Sequence, residues 1–594
     1  MTISLPKPPR RRVDQLGRRP VKFRHACAFV VAAAAVTGSV SAGDSNTPAY
    51  DLLIRNGTIY DGSGGKPYTG EIAIKGDRIV YVGPRAPGRP TKVVNAGGKA
   101  VTPGFVNMLS HSQEAFFVDS RVVSDINQGV TLNVMGEGWS MGPLTPKLRE
   151  AALKDQGDIQ YLIEWTTLDE FLRTVEKRGV ATNVASFIGA TTVRLAVLGE
   201  GDVDPSPAQL EEMRGLVAQA MRDGAMGVGS SLIYPPAGYA ETPELIALTT
   251  EAGRCGGMYI SHMRSEGDRI EQAVDELIEI ARKSGAGAEI YHLKFAGKDN
   301  WGKFASVIAK IEAARAEGLR ITTDMYTYDA GATGLTATLP LWVQADGAEA
   351  MAKRLRDPAT RARVIADMRA KDAGYENLLR LTGGTGDNIL LIGFKSEALR
   401  PLIGKTLAEA ARARGVSVEE AAMDLIVEDG SRVDAAFRIM SEDNIRKAVQ
   451  LPYMSFGSDA PGQAAEGVFL KSSTHPRTYG NVARLLGRYV RDEKLIPLEE
   501  AVRRLTSLPA ANLRLRDRGL LKAGYFADVV LFDPTTIQDH ATYERPHQYS
   551  TGVDSVWVNG VAVLKDGKPT GAAAGRVVRG PGWTGWPDGG ACPK

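Results

Sequence analysis

The spacing of apolar residues changes period along the chain, and the changes mark its elements. Ile270, Val274, Leu277, Ile278 and Ala281 recur at helical spacing, which predicts a helix over GDRIEQAVDELIEIARKSG. Short apolar runs flank it: MYISH (258–262) before and AEIYHLK (288–294) after. NWGKFASVIAKIEAARAEG then predicts a second helix and ITTDMYTY (321–328) a third strand. Strands alternating with helices of this length predict βαβαβ and a parallel sheet. Upstream, QGVTLNVMGEG (128–138), TNVASFIGATTVR (182–194) and AMGVGSSLIYPP (225–236) read as further strands. A helix over 206–224 is predicted between the last two, with Ser206 as N-cap and Pro207 in its first turn.

Downstream, residues 339–451 are helical and charged, with no strand-like run before NILLIGF, and YMSFGSDAPG (453–462) reads as a last strand. About eight strands between Phe105 and Asp459 predict an α/β fold, a (β/α)8 TIM-type barrel over 106–514. Residues 339–451 are then a mostly helical insertion, expected to serve as a lid. Residues 49–105 and 515–582 carry short alternating runs punctuated by Asn-Gly, Gly-Asp and Pro-Gly turns. Neither piece is large enough for its own core, and together they are expected to form a small β-sandwich from both chain ends.

Composition adds exclusions. Apolar content is 43% and charged content 24%, ordinary for a globular protein, and a net charge of +3 gives no reason to expect a nucleic-acid partner. Residues 1–42 have the form of a signal peptide: Arg10–Arg12, Arg18, Arg19, Lys22 and Arg24, then apolar Ala26–Val36, then Val40-Ser41-Ala42. Export to the periplasm is expected, by the general route or, through Arg18-Arg19, the twin-arginine one. No later segment is long and apolar enough to cross a membrane. Of the three cysteines, Cys27 lies in the leader, and Cys255 and Cys592 are expected to be unpaired thiols.

Parallel α/β sheets keep their chemistry at the carboxyl ends of the strands. Two successive strands here end in imidazole, His262 and His292, in a chain with only seven histidines. Gly384–Gly386 lacks the strand-to-helix context of a phosphate loop and reads as a tight turn. The charged run 353–371 reads as a solvated helix face, and His540 and His547 as structural.

VTPGFVNMLSH, QGVTLNVMGEGWSMGP, YISHMRSEG, EIYHLKFAG, DMYTYDAGATGL, SFGSDAPG, HPRTYG and GYFADVVLFDP…VDSVWVNG follow one another in a telling order. In these motifs the chain resembles the amidohydrolase superfamily, and within it the N-acyl-D-amino-acid deacylases, over about residues 49–580. The resemblance implies that His262 and His292 hold a tightly bound zinc. Its third ligand in that family is a cysteine; here the place reads Gly136-Glu137-Gly138, which makes Glu137 the candidate. The family's His-x-His after Pro-Gly-Phe is broken, because Leu109 stands before Ser110-His111. Leucine cannot ligate, so one zinc is expected, and His111 is expected to hydrogen-bond the catalytic aspartate or the scissile group. Asp459 matches the aspartate that takes a proton from water and passes it to the leaving nitrogen. For the substrate carboxylate the resemblance implies Arg477, in His475-Pro476-Arg477, and Tyr326. Ala332 stands where a serine is expected, with Thr333 the neighbouring hydroxyl, and Lys294 is a further candidate contact for an acidic side chain or the carboxylate.

The expected activity is zinc-dependent hydrolysis of the amide bond of small-molecule N-acyl-D-amino acids. Alternatives on the same fold are hydrolysis of cyclic amides or dipeptides, and a non-catalytic exported binding protein.

Overall fold

A computed structural model describes residues 49–372 and 374–593. The expected signal segment lies outside them. The chain enters through five strands, β1 (Tyr50–Ile59), β2 (Tyr68–Lys75), β3 (Arg78–Gly83), β4 (Pro90–Asn95) and β5 (Ala100–Pro103). Antiparallel pairing of β1 with β2 and of β2 with β3 turns the apolar alternation of Ile54, Ile72, Ile74 and Ile79 to one side, where these residues are buried together.

The strands that follow run parallel. β6 (Phe105–Asn107), β7 (Val130–Met135) and β8 (Asn183–Ser186) form one sheet. β9 (Ile188–Gly189), β10 (Gly227–Ser231), β11 (Met258–His262), β12 (Gly287–Ile290) and β13 (Ile321–Met325) pair in that order in a second. The chain then runs through β14 (Ala330–Gly334) into the insertion, whose strands β15 (Ile389–Gly393) and β16 (Asp434–Arg438) make a small antiparallel sheet with it. It returns through β17 (Met454–Phe456), which pairs with β13. The two parallel sheets are linked at both sides. β8 and β9 are one segment interrupted at Phe187, and the Met108 and Asp459 amides donate to Phe456 O at 3.3 Å and Leu109 O at 2.9 Å.

Local chemistry explains most boundaries. Ser206 caps the helix Pro207–Asp223, as the sequence predicts, and Gln209 completes a capping box. The predicted strand over 182–194 is shorter than expected, because Ala190–Val197 is helical. Thr192 Oγ1, in its first turn, accepts from the Ser140 amide at 2.8 Å and ties that helix to the loop after β7. The insertion carries the expected helices, among them Ala348–Arg356, Pro358–Arg369, Leu407–Arg414 and Val418–Asp429, but also the three-stranded sheet that its helical character did not announce.

After the parallel strands the chain completes the sheet it began with. β18 (Val529–Phe532) pairs antiparallel with β5, Val529 opposite Pro103, and β19 (Val553–Val558), β20 (Val561–Lys565) and β21 (Lys568–Pro569) extend it. Both chain ends thus share one nine-stranded sheet. The last segment then runs back along the parallel strands. Gly575 N donates to Val180 O, Val578 N to Val184 O and Gly580 N to Gly224 O, each at 2.7–2.8 Å.

This tail corrects the reading of the cysteines: Cys255 and Cys592 form a disulfide. Cys255 caps the helix Thr242–Arg254, and the tail's turn through Gly582 brings Cys592 against it; a Cβ on Gly582 would lie 2.9 Å from Cys592 Sγ and 3.0 Å from Cys255 Cβ. Among the described residues no helix is long and apolar enough to cross a membrane.

Candidate active site

The site residues sit just beyond the carboxyl ends of the parallel strands. Glu137 follows β7 between two glycines that hold it there. Gly136 (φ 104°) and Gly138 (φ 66°) are left-handed; a Cβ on the first would lie 2.4 Å from Phe187 O, and on the second 2.0 Å from Ser231 Oγ. Only glycine fits either position. His262 ends β11. His292 lies two residues past β12 at φ 35°, with its amide donating to Asp324 Oδ1 at 2.8 Å. Asp459, past β17, is also left-handed (φ 50°). Conformations of this kind cost about 1–3 kcal/mol each and persist where the surroundings over-determine them.

The expected residues come together. Glu137 Oε1 lies 3.1 Å from His262 Nδ1 and 2.9 Å from His292 Nε2. Glu137 Oε2 lies 3.2 Å from His111 Nε2, which is 3.0 Å from Asp459 Oδ1. Asp459 Oδ2 forms an ion pair with Arg477 Nη1 at 2.7 Å. Two sets of donors each lie within 4.8 Å of one another, Glu137 with His262 and His292, and His111 with Glu137 and Asp459. Glu137 belongs to both, one more contact to the His111–Asp459 pair than the sequence suggested. Leu109 is buried in the apolar core with Met108, Leu132 and Phe187 and offers nothing to the site.

The charges shape one another. Burial pushes Glu137 up, but the His292 charge and the hydrogen bonds of the three imidazoles hold it well below the usual carboxylate range. Burial pushes His111 down, and hydrogen bonds to Asp459 and Glu137 outweigh it, raising it to about 9. Burial opposes the ionisation of Asp459; the Arg477 guanidinium, then His292, bring it below the ordinary aspartate value.

Arg477 is the first residue of the helix Arg477–Arg484, and its guanidinium carbon lies 4.4 Å from the centre of the Tyr326 ring. His475 orients this turn, with Nδ1 accepting from the Arg477 amide at 3.0 Å and Nε2 donating to Ala330 O at 3.0 Å. The Tyr326 hydroxyl and Arg477 Nε are buried without a hydrogen-bond partner among the described residues. Ala332 meets Arg477 Nη2 only through its carbonyl, at 3.4 Å. Thr333 does not replace the absent serine, because its Oγ1 accepts from Tyr234 Oη at 2.8 Å.

Lys294, expected to reach the substrate, is only 4% exposed and pairs with Glu266 Oε1 at 2.7 Å. Its Nζ also lies 2.7 Å from His292 Nδ1, so both contacts of the ammonium are within the protein. Glu266 was missed in the sequence. It stands four residues after His262, a spacing that carries a signal on a helix but none in an irregular loop. Glu376 was missed too. It comes from the insertion and accepts from Ser265 Oγ at 2.7 Å and the Glu266 amide at 3.0 Å.

Comparison with known proteins places the chain in a family. The model of the amidohydrolase family matches residues 92–564. An N-acyl-D-glutamate deacylase of Alcaligenes xylosoxydans xylosoxydans is 32% identical over 89% of this chain and 96% of its own. A solved D-aminoacylase with a binuclear metal centre, described by one-metal activation and second-metal attenuation, superposes with a TM-score of 0.73 at 30% identity, over 89% of this chain and all of that one. N-acyl-D-glutamate deacylase from Bordetella bronchiseptica, solved with zinc and a phosphonate mimic of the tetrahedral intermediate, does so with a TM-score of 0.72 at 28% identity, over 89% and 99%. The chain belongs to the amidohydrolase family, and within it resembles the N-acyl-D-amino-acid deacylases.

Proposed function

We propose that the protein is a zinc-dependent deacylase of N-acyl-D-amino acids, exported to the periplasm and built on a (β/α)8 barrel, with the sheet of both chain ends folded as a small sandwich and the insertion as a lid. The observation that carries the activity is the convergence of Glu137, His262 and His292 with Asp459 and Arg477 beyond the parallel strands.

The donor set fits zinc. It offers one carboxylate oxygen and two imidazole nitrogens, the ligand types that zinc takes at catalytic sites with three protein ligands. One ion is proposed on Glu137, His262 and His292, since Asp459 is already committed to Arg477 and Leu109 supplies no donor. When bound, zinc supplies a water acidic enough to attack at neutral pH and polarises the amide carbonyl. Asp459, held ionised by Arg477, accepts the proton of the attacking water on Oδ1 and returns it to the leaving nitrogen. His111, bonded to the same Oδ1, keeps that carboxylate aimed. The Arg477 fork and the Tyr326 hydroxyl, both with unused donors, receive the substrate carboxylate.

Lys294 is paired with Glu266, so it is not offered to an acidic side chain. Turnover should therefore favour N-acetyl-D-amino acids with neutral side chains over N-acetyl-D-aspartate and N-acetyl-D-glutamate by about tenfold or more in kcat/KM, the size of one lost charged contact. The assay is a panel of N-acetyl-D- and N-acetyl-L-amino acids beside hydantoins and dipeptides, with the zinc content of the enzyme measured in parallel. Absence of turnover on every N-acyl amino acid refutes the activity; preference for the acidic ones refutes the assignment of Lys294.

A further inference from the structure

We propose that Asn481 is the positioning residue that holds the helix of Arg477 against the loops of Asp459 and Tyr326. The inference rests on the deacylase reading above, in which Arg477 and Tyr326 receive the substrate carboxylate and Asp459 moves the proton. Arg477 and Asn481 stand four residues apart on the helix Arg477–Arg484, so their side chains lie on one face, a turn apart. Arg477 reaches Asp459 Oδ2 at 2.7 Å, and its guanidinium carbon lies 4.4 Å from the centre of the Tyr326 ring. One turn further on, Asn481 makes a two-sided contact with the backbone of the same two loops. Its Nδ2 donates to Gly457 O at 2.8 Å, two residues before Asp459. Its Oδ1 accepts at 2.9 Å from the amide of Thr327, the residue after Tyr326.

The chemistry of these partners selects asparagine. Gly457 and Thr327 lie just past the ends of β17 and β13, where the ladder stops and backbone groups need other partners. A carbonyl can only accept and an amide N–H can only donate, which fixes the orientation of the Asn481 fork. A primary amide serves both through two separate atoms at a fixed spacing. Asn481 is 2% exposed, so breaking either bond leaves a buried polar group unpaired. The Thr327 hydroxyl adds a bond to Asn481 O at 3.0 Å. Asp459 needs such support because it is left-handed, a conformation that persists where neighbours over-determine it. Asn107 Oδ1 accepts from the Ser458 amide at 2.7 Å and Leu109 O from the Asp459 amide at 2.9 Å, which holds the loop on the side of β6. Asn481 ties the same loop to the helix that carries Arg477.

The test is steady-state kinetics per zinc-loaded enzyme on N-acetyl-D-amino acids, with Tm measured alongside. The proteins are wild type, Asn481→Asp, Asn481→Leu, Arg477→Lys, and Asn481→Asp combined with Arg477→Lys. Asn481→Asp keeps the shape and the acceptor for Thr327 but, ionised, faces Gly457 O without a donor; Asn481→Leu removes both bonds. Each should raise KM about tenfold, because Arg477 and Tyr326 lose their common anchor, and lower kcat about tenfold, because Asp459 loses its aim. A merely structural residue would lower Tm and the yield of active protein and leave both constants of the remaining enzyme unchanged. In the combined variant KM should rise less than about threefold above that of Arg477→Lys alone, since both changes act through one guanidinium. An unchanged KM in Asn481→Asp, or fully additive effects on KM in the combined variant, overturns the proposal while the deacylase reading stands. A wild type inert on every N-acyl amino acid overturns that reading and the proposal with it. If Asn481→Leu does not fold, Asn481→Asp carries the test.

Discussion

Glu137 divides its two oxygens between two histidine groups, and that division depends on the glycines either side of it. Oε1 faces His262 and His292, Oε2 faces His111, and the loop can present both only because Gly136 and Gly138 take left-handed conformations against Phe187 and Ser231. Glu137 was legible in the sequence only through the resemblance, as the residue that stands where the family has a cysteine, whereas His262, His292 and Asp459 stand at the ends of strand-like runs. Glu266 was not legible, because its pairing with Lys294 joins two loops that are distant in the sequence pattern. On the substrate side, Arg477→Lys should raise KM for N-acyl-D-amino acids about 10–100-fold and change kcat less. A lysine keeps the charge but loses the planar fork that reaches both the Asp459 and Tyr326 sides. Steady-state kinetics measure this, and an unchanged KM removes Arg477 from the substrate site.

At the scale of elements, periodicity revealed the strands and helices of the parallel region, with ends that differ because strands stop before the residues that carry chemistry. Ile290 ends β12 and Met325 ends β13, whereas the sequence runs on without a break through Lys294 and Tyr328. The insertion's sheet escaped notice because β14 precedes the insertion and pairs with a strand about a hundred residues later. The disulfide escaped for the same reason on a larger scale, its cysteines being separated by 337 positions. Closing so long a loop stabilises the fold by ~2–4 kcal/mol. Cys255→Ser and Cys592→Ser should each lower Tm by several degrees, by the same amount as reductant does to wild type, and reductant should then have no further effect on either variant. Calorimetry with and without dithiothreitol measures this, and equal Tm values for wild type and variants would refute it.

At the scale of the whole molecule, the parallel strands enclose an acidic pair beneath the site. Glu289, on β12, accepts from Thr322, Asn512 and Ser455, and burial raises it from 4.5 to about 7. Asp324 is raised well above its ordinary value by burial and by Glu289. The native state therefore holds protons that the unfolded chain releases. The stability Glu289 contributes is complete below about pH 4.5 and is lost progressively as pH rises to about 7, a change of about 3 kcal/mol. Glu289→Gln should flatten the fall in unfolding free energy between pH 5 and 8 by about that amount in urea titrations. Equal pH slopes for wild type and variant would refute it.

The nine-stranded sheet has a consequence for synthesis. Val529–Phe532 is the partner of Ala100–Pro103, so an emerging chain offers an unpaired strand edge until almost all of it has been translated. At ~5–20 residues per second the ribosome takes tens of seconds to pass from Pro103 to Val529. Throughout that time the edge of β5 is exposed to chaperones, to proteases and to neighbouring nascent chains, and a premature stop before Val529 yields a product in which that edge has no strand to pair with.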